Sequence, residues 1–280
     1  MINFCHISPT PHLDLVDERP VHLVLAHLIE EDEKYVQWYI NQKKKYNCTL
    51  IMDNSAFEMY KQGRDMYDPD KLIHMGKKVS ADYIVMSDYP GEASTKTIRA
   101  AFEQAPVFKN AGFDTFFVPQ GKVGDIGDLM NGFKFAANNP DLVDYIGVSI
   151  LAAPLAYNVE SGNNLQRFNS RLRMMHSLKE RLLLSKIQNN EQKIHFLGMV
   201  DGPNEIMFMD RFKRYIDTWD SSAAVWLGLN DETFDNSPTG RMDGKFEKEV
   251  DFNFETNDTN LLTKAIENMK YIDNLCGDDY

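Results

Sequence analysis

The chain has 280 residues, and 30 Lys and Arg against 42 Asp and Glu give it a formal net charge of −12. With 43% hydrophobic and 26% charged residues, it is neither a disordered chain nor one too short for a sizeable core. The acidic balance counts against a sequence-blind nucleic-acid binder, whose affinity would come from Lys and Arg, and leaves room for an enzyme with a local basic groove.

In chain order, short β-prone runs alternate with longer helical stretches. Met1–His6 serves as the first run and Val21–Ala26 as the second. Glu31–Tyr46 reads as a helix carrying Tyr35, Trp38 and Tyr39, with Lys43, Lys44 and Lys45 at its C-terminal end, where cations suit the helix dipole. Thr49–Met52 is the third run, followed by a helix over Asp70–Val79 after Pro69. Asp82–Met86 comes next, then a helix over Thr95–Ala111 with Ile98, Ala101, Phe102 and Phe108 at helical spacing. Thr115–Val118 and Tyr145–Ser149 are the fifth and sixth runs. Leu165–Ile187 reads as a helix, Ile194–Met199 as the seventh run and Pro203–Lys213 as a helix. Tyr215–Trp219 is a weaker eighth run, and a helix over Thr259–Leu275 closes the chain.

Alternation of this kind predicts a parallel sheet with helices outside it. Eight units in a chain close to the ~250 residues usual for such a fold predict a single-domain (β/α)8 TIM barrel over residues 1–280. The rival, an open doubly wound sheet, usually carries a Gly-rich turn after its first strand, and no such turn is present.

Other classes are set aside by what the sequence lacks. No apolar run is long enough to span a bilayer, since Val21–Leu28 is interrupted by His22 and His27. The start, Met1-Ile2-Asn3-Phe4-Cys5-His6, has no signal-peptide pattern. Cys5, Cys48 and Cys276 are far apart, so reduced thiols in a cytoplasmic protein are expected. His6, His12, His22, His27 and His195 show no metal-ligand spacing, and no metal site is expected.

Barrel active sites are built at the C-terminal ends of the strands. The third run there gives Asp53-Asn54-Ser55-Ala56-Phe57-Glu58, the fourth Ser87-Asp88-Tyr89-Pro90-Gly91 and the fifth Pro119-Gln120-Gly121. The sixth gives Gly147-Val148-Ser149, the seventh Leu197-Gly198, and the eighth Asp217-Thr218-Trp219-Asp220. Each Asp alone reads as readily as a helix cap or a turn residue. Asp53, Asp88 and Asp220 converging on one mouth instead suit glycosidic-bond chemistry, which needs one carboxylate at the anomeric carbon and one to move a proton.

In order and placement these motifs resemble those of the tRNA-guanine transglycosylase superfamily, and most of all its small phage and bacterial members that act on DNA. The likeness runs from about Thr49 to Gly228. It implies that Asp220 is the nucleophile, with Asp217 as the alternative, and that Asp53 is the general acid/base. Phe57 and Leu197, with Gly198, would close the two faces of the base. Asp88 would grip the N1–H and 2-amino edge of guanine, and Gln120, with the backbone at Gly147 and Val148, would meet its carbonyl. The chain departs from the family at Ala56, Glu58 and Val148, and lacks the Cys-x-Cys-x-x-Cys…His zinc site of the tRNA enzymes. That absence favours DNA over tRNA.

The resemblance therefore implies exchange of guanine in DNA for a free 7-deazaguanine base such as preQ0, with no cofactor and no membrane partner. A homodimer or a phage or host partner protein stays open. The basic stretch with Arg167, Arg171 and Arg173, together with Arg241 in a later loop, is the expected contact to the nucleic acid. The same chemistry on tRNA, a barrel glycoside or nucleoside hydrolase, and a non-catalytic purine-binding barrel are the competing readings.

Overall fold

A computed structural model describes every residue except 161–162, 200–201, 236, 241–248 and 278–280. Eight strands are present: β1 (Asn3–His6), β2 (Val21–Leu25), β3 (Thr49–Asp53), β4 (Tyr83–Val85), β5 (Asp114–Phe117), β6 (Tyr145–Ser149), β7 (Lys193–Leu197) and β8 (Thr218–Ser221). They form one sheet in the order β1-β8-β7-β6-β5-β4-β3-β2, and every described pairing is parallel. The result is a nearly closed (β/α)8 barrel with helices around it. Parallel strands covered on both faces need apolar residues on both, and Leu50, Ile51 and Met52 of β3 are all completely buried.

Three aspartates at the N-terminal end tie alternate strand pairs together. Asp82, just before β4, accepts the backbone N–H of Leu50 at 2.7 Å and pairs with Lys43 at 2.6 Å. Asp144, just before β6, accepts from Thr115 N at 2.8 Å and pairs with Lys109 at 2.7 Å. Asp217, just before β8, accepts from Ile194 N at 2.8 Å. Each supplies an acceptor for the amide of the second residue of the preceding strand.

Local chemistry sets the helix ends. The Asp32 side chain accepts from Lys34 N and Tyr35 N. The helix expected to begin at Glu31 therefore begins at Glu33, and Ala26–Glu31 is a separate turn of helix. The helix expected over Leu165–Ile187 is two, Asn164–Glu180 and Leu183–Asn189, divided where Leu182 adopts φ 58°. Asp210–Tyr215 is a 3-10 turn, so the last strand starts at Thr218 rather than Tyr215. Four further helices also appear: Ala56–Gln62, Ile126–Asn138, Ala152–Ala156 and Ala223–Leu229. No described helix is long and apolar enough to cross a membrane.

Candidate active site

Alternation along β8 directs Thr218 and Asp220 to the barrel interior and Trp219 to the opposite face, where it packs on Phe196 with ring centroids 4.5 Å apart. Asp220 is only 5% exposed. Its Oδ1 accepts two hydrogen bonds, from His195 Nε2 at 2.8 Å and from the backbone N–H of Gly198 at 3.1 Å. One oxygen is anchored and the other has no hydrogen-bond partner among the described residues.

The β3 and β4 ends supply the other two carboxylates. Asn54 donates to Met86 O at 2.8 Å and to Asp88 Oδ1 at 3.0 Å, while Gln120 Nε2 donates to Asp88 Oδ2 at 2.6 Å. Burial pushes Asp88 up to about 6 against the opposing pull of those two amides. Burial first, then the nearby Glu58, Asp88 and Asp220 carboxylates, hold half-buried Asp53 well above the usual carboxylate range, and the Ser55 N–H bond opposes them. Asp53 therefore lies within electrostatic reach of both Asp88 and Asp220. The Gln120 carbonyl oxygen is buried with no hydrogen-bond partner.

Beneath the mouth, Gly198 adopts φ 69°, a backbone conformation that favours glycine. Its N–H points at Asp220 while its carbonyl accepts from Arg171 Nη2 and Trp219 Nε1, each at 2.9 Å. Arg171 is completely buried. It pairs bidentately with Glu205 at 2.7 and 2.6 Å and also donates to Val148 O at 3.1 Å and Leu197 O at 3.0 Å. This corrects the expectation that Arg171 contacts nucleic acid, because its donors are committed to joining the ends of β6 and β7.

Other expected residues divide. Phe57 lies 40% exposed on the helix after β3, and Leu197 is half-buried at the end of β7. Gly147 faces inward: a Cβ there would lie 2.7 Å from Phe116 Cε1 and 2.8 Å from Leu197 Cδ1. Val148 therefore faces outward into the helix layer, fully buried, with its carbonyl taken by Arg171, so neither its side chain nor its carbonyl lines the mouth. Asp217 sits at the opposite end of β8, which removes it as an alternative nucleophile. Arg173 is exposed, with its guanidinium 4.2 Å above the Tyr157 ring, and Arg167 is half-buried on the same helix. Arg241 lies outside the described residues.

His195 is the residue that sequence reasoning passed over. Its signal was parity: on β7 it is two residues before Leu197 and so shares its inward face. Among the described residues, no three or more His, Cys, Asp or Glu side chains are grouped as a metal site requires. A cavity of about 230 Å³ opens at the N-terminal end of the barrel, bounded in part by Tyr145, Lys193, Lys213, Arg214 and Thr218, away from the three carboxylates.

The mouth offers hydrogen-bond acceptors and two carboxylates in contrasting settings. One, Asp220, is held by two donors. The other, Asp53, is pushed toward its neutral form. Such a pair can divide nucleophile and acid/base roles between its members. No known protein-family model matches the chain, and no curated protein matches its sequence.

Proposed function

We propose that this protein is a base-exchange transglycosylase that replaces guanine in DNA with a free 7-deazaguanine such as preQ0. The observation that carries the reading is Asp220, whose Oδ1 is fixed by His195 and Gly198 while its Oδ2 has no partner among the described residues and half-buried Asp53 lies within electrostatic reach. The target base leaves the stack, or is presented in a single strand, and enters between Phe57 and Leu197. With its Nε2 donating to Asp88, Gln120 does not keep the expected role toward the base carbonyl; Asp88 and the Gln120 carbonyl, unpartnered among the described residues, are acceptors suited to the N1–H and 2-amino donors of guanine.

Asp220 Oδ2 attacks C1′. The C1′–N9 bond breaks, its electron pair leaves with the base, and neutral Asp53 gives the departing base its proton. The incoming base then loses its N9 proton to Asp53 and attacks C1′, and the C1′–Oδ2 electron pair returns to Asp220. Both halves are redox neutral and balance without a cofactor. Arg173, with Arg167 beside it, supplies backbone contact on the helix that follows β6.

The test is incubation with labelled guanine and, separately, duplex DNA, single-stranded DNA and tRNA. Label entering DNA supports the reading. Label entering only tRNA keeps the chemistry and replaces the substrate. Release of base without incorporation indicates a hydrolase, and base binding without turnover a binding protein.

A further inference from the structure

Four side chains form a continuous hydrogen-bonded file along the barrel interior. The Tyr145 hydroxyl lies 2.8 Å from Thr218 Oγ1, Thr218 Oγ1 lies 2.6 Å from His195 Nδ1, and His195 Nε2 lies 2.8 Å from Asp220 Oδ1. Tyr145, Thr218 and His195 are buried, and the first two also wall the cavity at the barrel base. The file thus runs from the N-terminal end to the mouth.

We propose that His195 is the positioning residue of Asp220, held by Thr218 and Tyr145 as a neutral imidazole with its proton on Nε2. The inference rests on the base-exchange reading for its consequence and on hydrogen-bond geometry for its content. Asp220 Oδ1 already accepts from Gly198, so as a carboxylate oxygen it must accept again from His195, which places a proton on Nε2. Were Nδ1 protonated as well, Thr218 Oγ1 would accept from it, and one hydroxyl proton of the Tyr145–Thr218 pair would have no acceptor among the described residues; a neutral ring instead accepts at Nδ1 from the Thr218 hydroxyl. That spends the one proton Thr218 has, and Tyr145 must donate to Thr218. Every donor in the file has an acceptor, and the direction is single: Tyr145 to Thr218 to His195 to Asp220.

The consequence concerns which oxygen reacts. With Oδ1 held by His195 and Gly198, the carboxylate cannot rotate, and Oδ2 is the atom presented to C1′. His195 keeps its proton throughout: as the Oδ2–C1′ bond forms and the C1′–N9 pair departs, Oδ1 becomes the ester carbonyl and still accepts from Nε2–H. Phe116 and Tyr145 pack around the imidazole, with centroids 5.5 and 6.2 Å from it, and fix its plane.

Two measurements test this. The first is the 15N NMR signature of the His195 ring in the intact wild-type protein, which is independent of activity. The expected result is a protonated Nε2 and an unprotonated Nδ1, with the Nδ1 signal changed in Thr218→Val. A proton on Nδ1, in the other neutral tautomer or in a doubly protonated ring, overturns the proposal. The second is kinetic and compares His195→Leu with His195→Gln, whose amide can still donate to Asp220. Loss of the donor is expected to lower kcat about 10–100-fold with KM for DNA little changed, and Gln is expected to recover most of it. Equal kcat in wild type and the Leu variant, or equal losses in both variants, overturns the positioning role. If wild type exchanges no base while the tautomer is as expected, the base-exchange reading fails and the file stands.

Discussion

Gln120 donates its amide to Asp88 at 2.6 Å while its own carbonyl oxygen stays buried without a partner. The pair is thus built around a carboxylate whose proton affinity burial has raised to about 6 from 3.8. The native state keeps this proton up to about pH 6, whereas the unfolded chain releases it near pH 4. Between those values unfolding releases a proton, so stability falls as pH rises and levels off above about 7. The raised proton affinity corresponds to about 3 kcal/mol of stability lost between acid and neutral pH. Asp88→Asn removes the titration and keeps the shape, with the Gln120 amide turned over so that its carbonyl accepts the new N–H. Urea denaturation is expected to find it more stable than wild type at pH 8, by about 2 kcal/mol, and level with it near pH 4. An equal difference at both pH values would contradict the assignment. The same variant is expected to lose affinity for the base.

Arg171 and Arg173, two residues apart on one helix, are expected to behave as opposites. Arg171→Met removes the guanidinium from the Glu205 carboxylate and from three carbonyls, at a cost of about 3–5 kcal/mol. Lys cannot restore the fork. Arg173→Ala, at an exposed site, is expected to change stability by less than ~0.5 kcal/mol. It should instead weaken DNA binding and lower the slope of affinity against salt by about one. Thermal melts and a salt titration of DNA affinity separate the two.

Gly147 has no room for a side chain. Ala at this position sets a Cβ 2.7 Å from Phe116 Cε1 and 2.8 Å from Leu197 Cδ1. The expected cost is about 1–3 kcal/mol, and displacement of Leu197 is expected to raise KM for the free base more than it lowers kcat. A melt with steady-state kinetics in free base checks both, and an unchanged KM would remove Leu197 from the base slot.

Burial and the neighbouring carboxylates raise the proton affinity of Asp53 well above the usual carboxylate range. Asp53→Asn is expected to lower base exchange about 10²–10⁴-fold, read by incorporation of labelled guanine at pH 7, while DNA binding stays near wild type. A variant as active as wild type would remove Asp53 from proton transfer.

The barrel was legible because its strands carry apolar runs that end in polar residues, and Tyr145–Ser149 matches in both bounds. The last strand was misplaced by three residues at its start because Asp210–Tyr215 is a tight turn that periodicity does not distinguish from a strand or a helix end. Asp53, Asp88 and Gln120 could be placed at strand ends, yet their mutual contacts cross between strands and leave no local pattern. His195 was hidden by its setting, a polar residue inside an apolar strand whose partners Thr218 and Asp220 lie on the next strand. Arg171 misled because a basic run reads as a charged face, while its buried acceptors come from β6, β7 and Glu205.

Base exchange of the proposed kind binds Asp220 covalently to a deoxyribose. Denaturation of the protein after incubation with guanine-containing DNA, followed by mass spectrometry of the peptide that contains residue 220, detects this directly. A deoxyribosyl-linked adduct on Asp220 is expected that is absent from Asp220→Ala, with base exchange falling about 10⁴-fold or more in that variant. Base exchange with no adduct on residue 220, and full activity in Asp220→Ala, would contradict it.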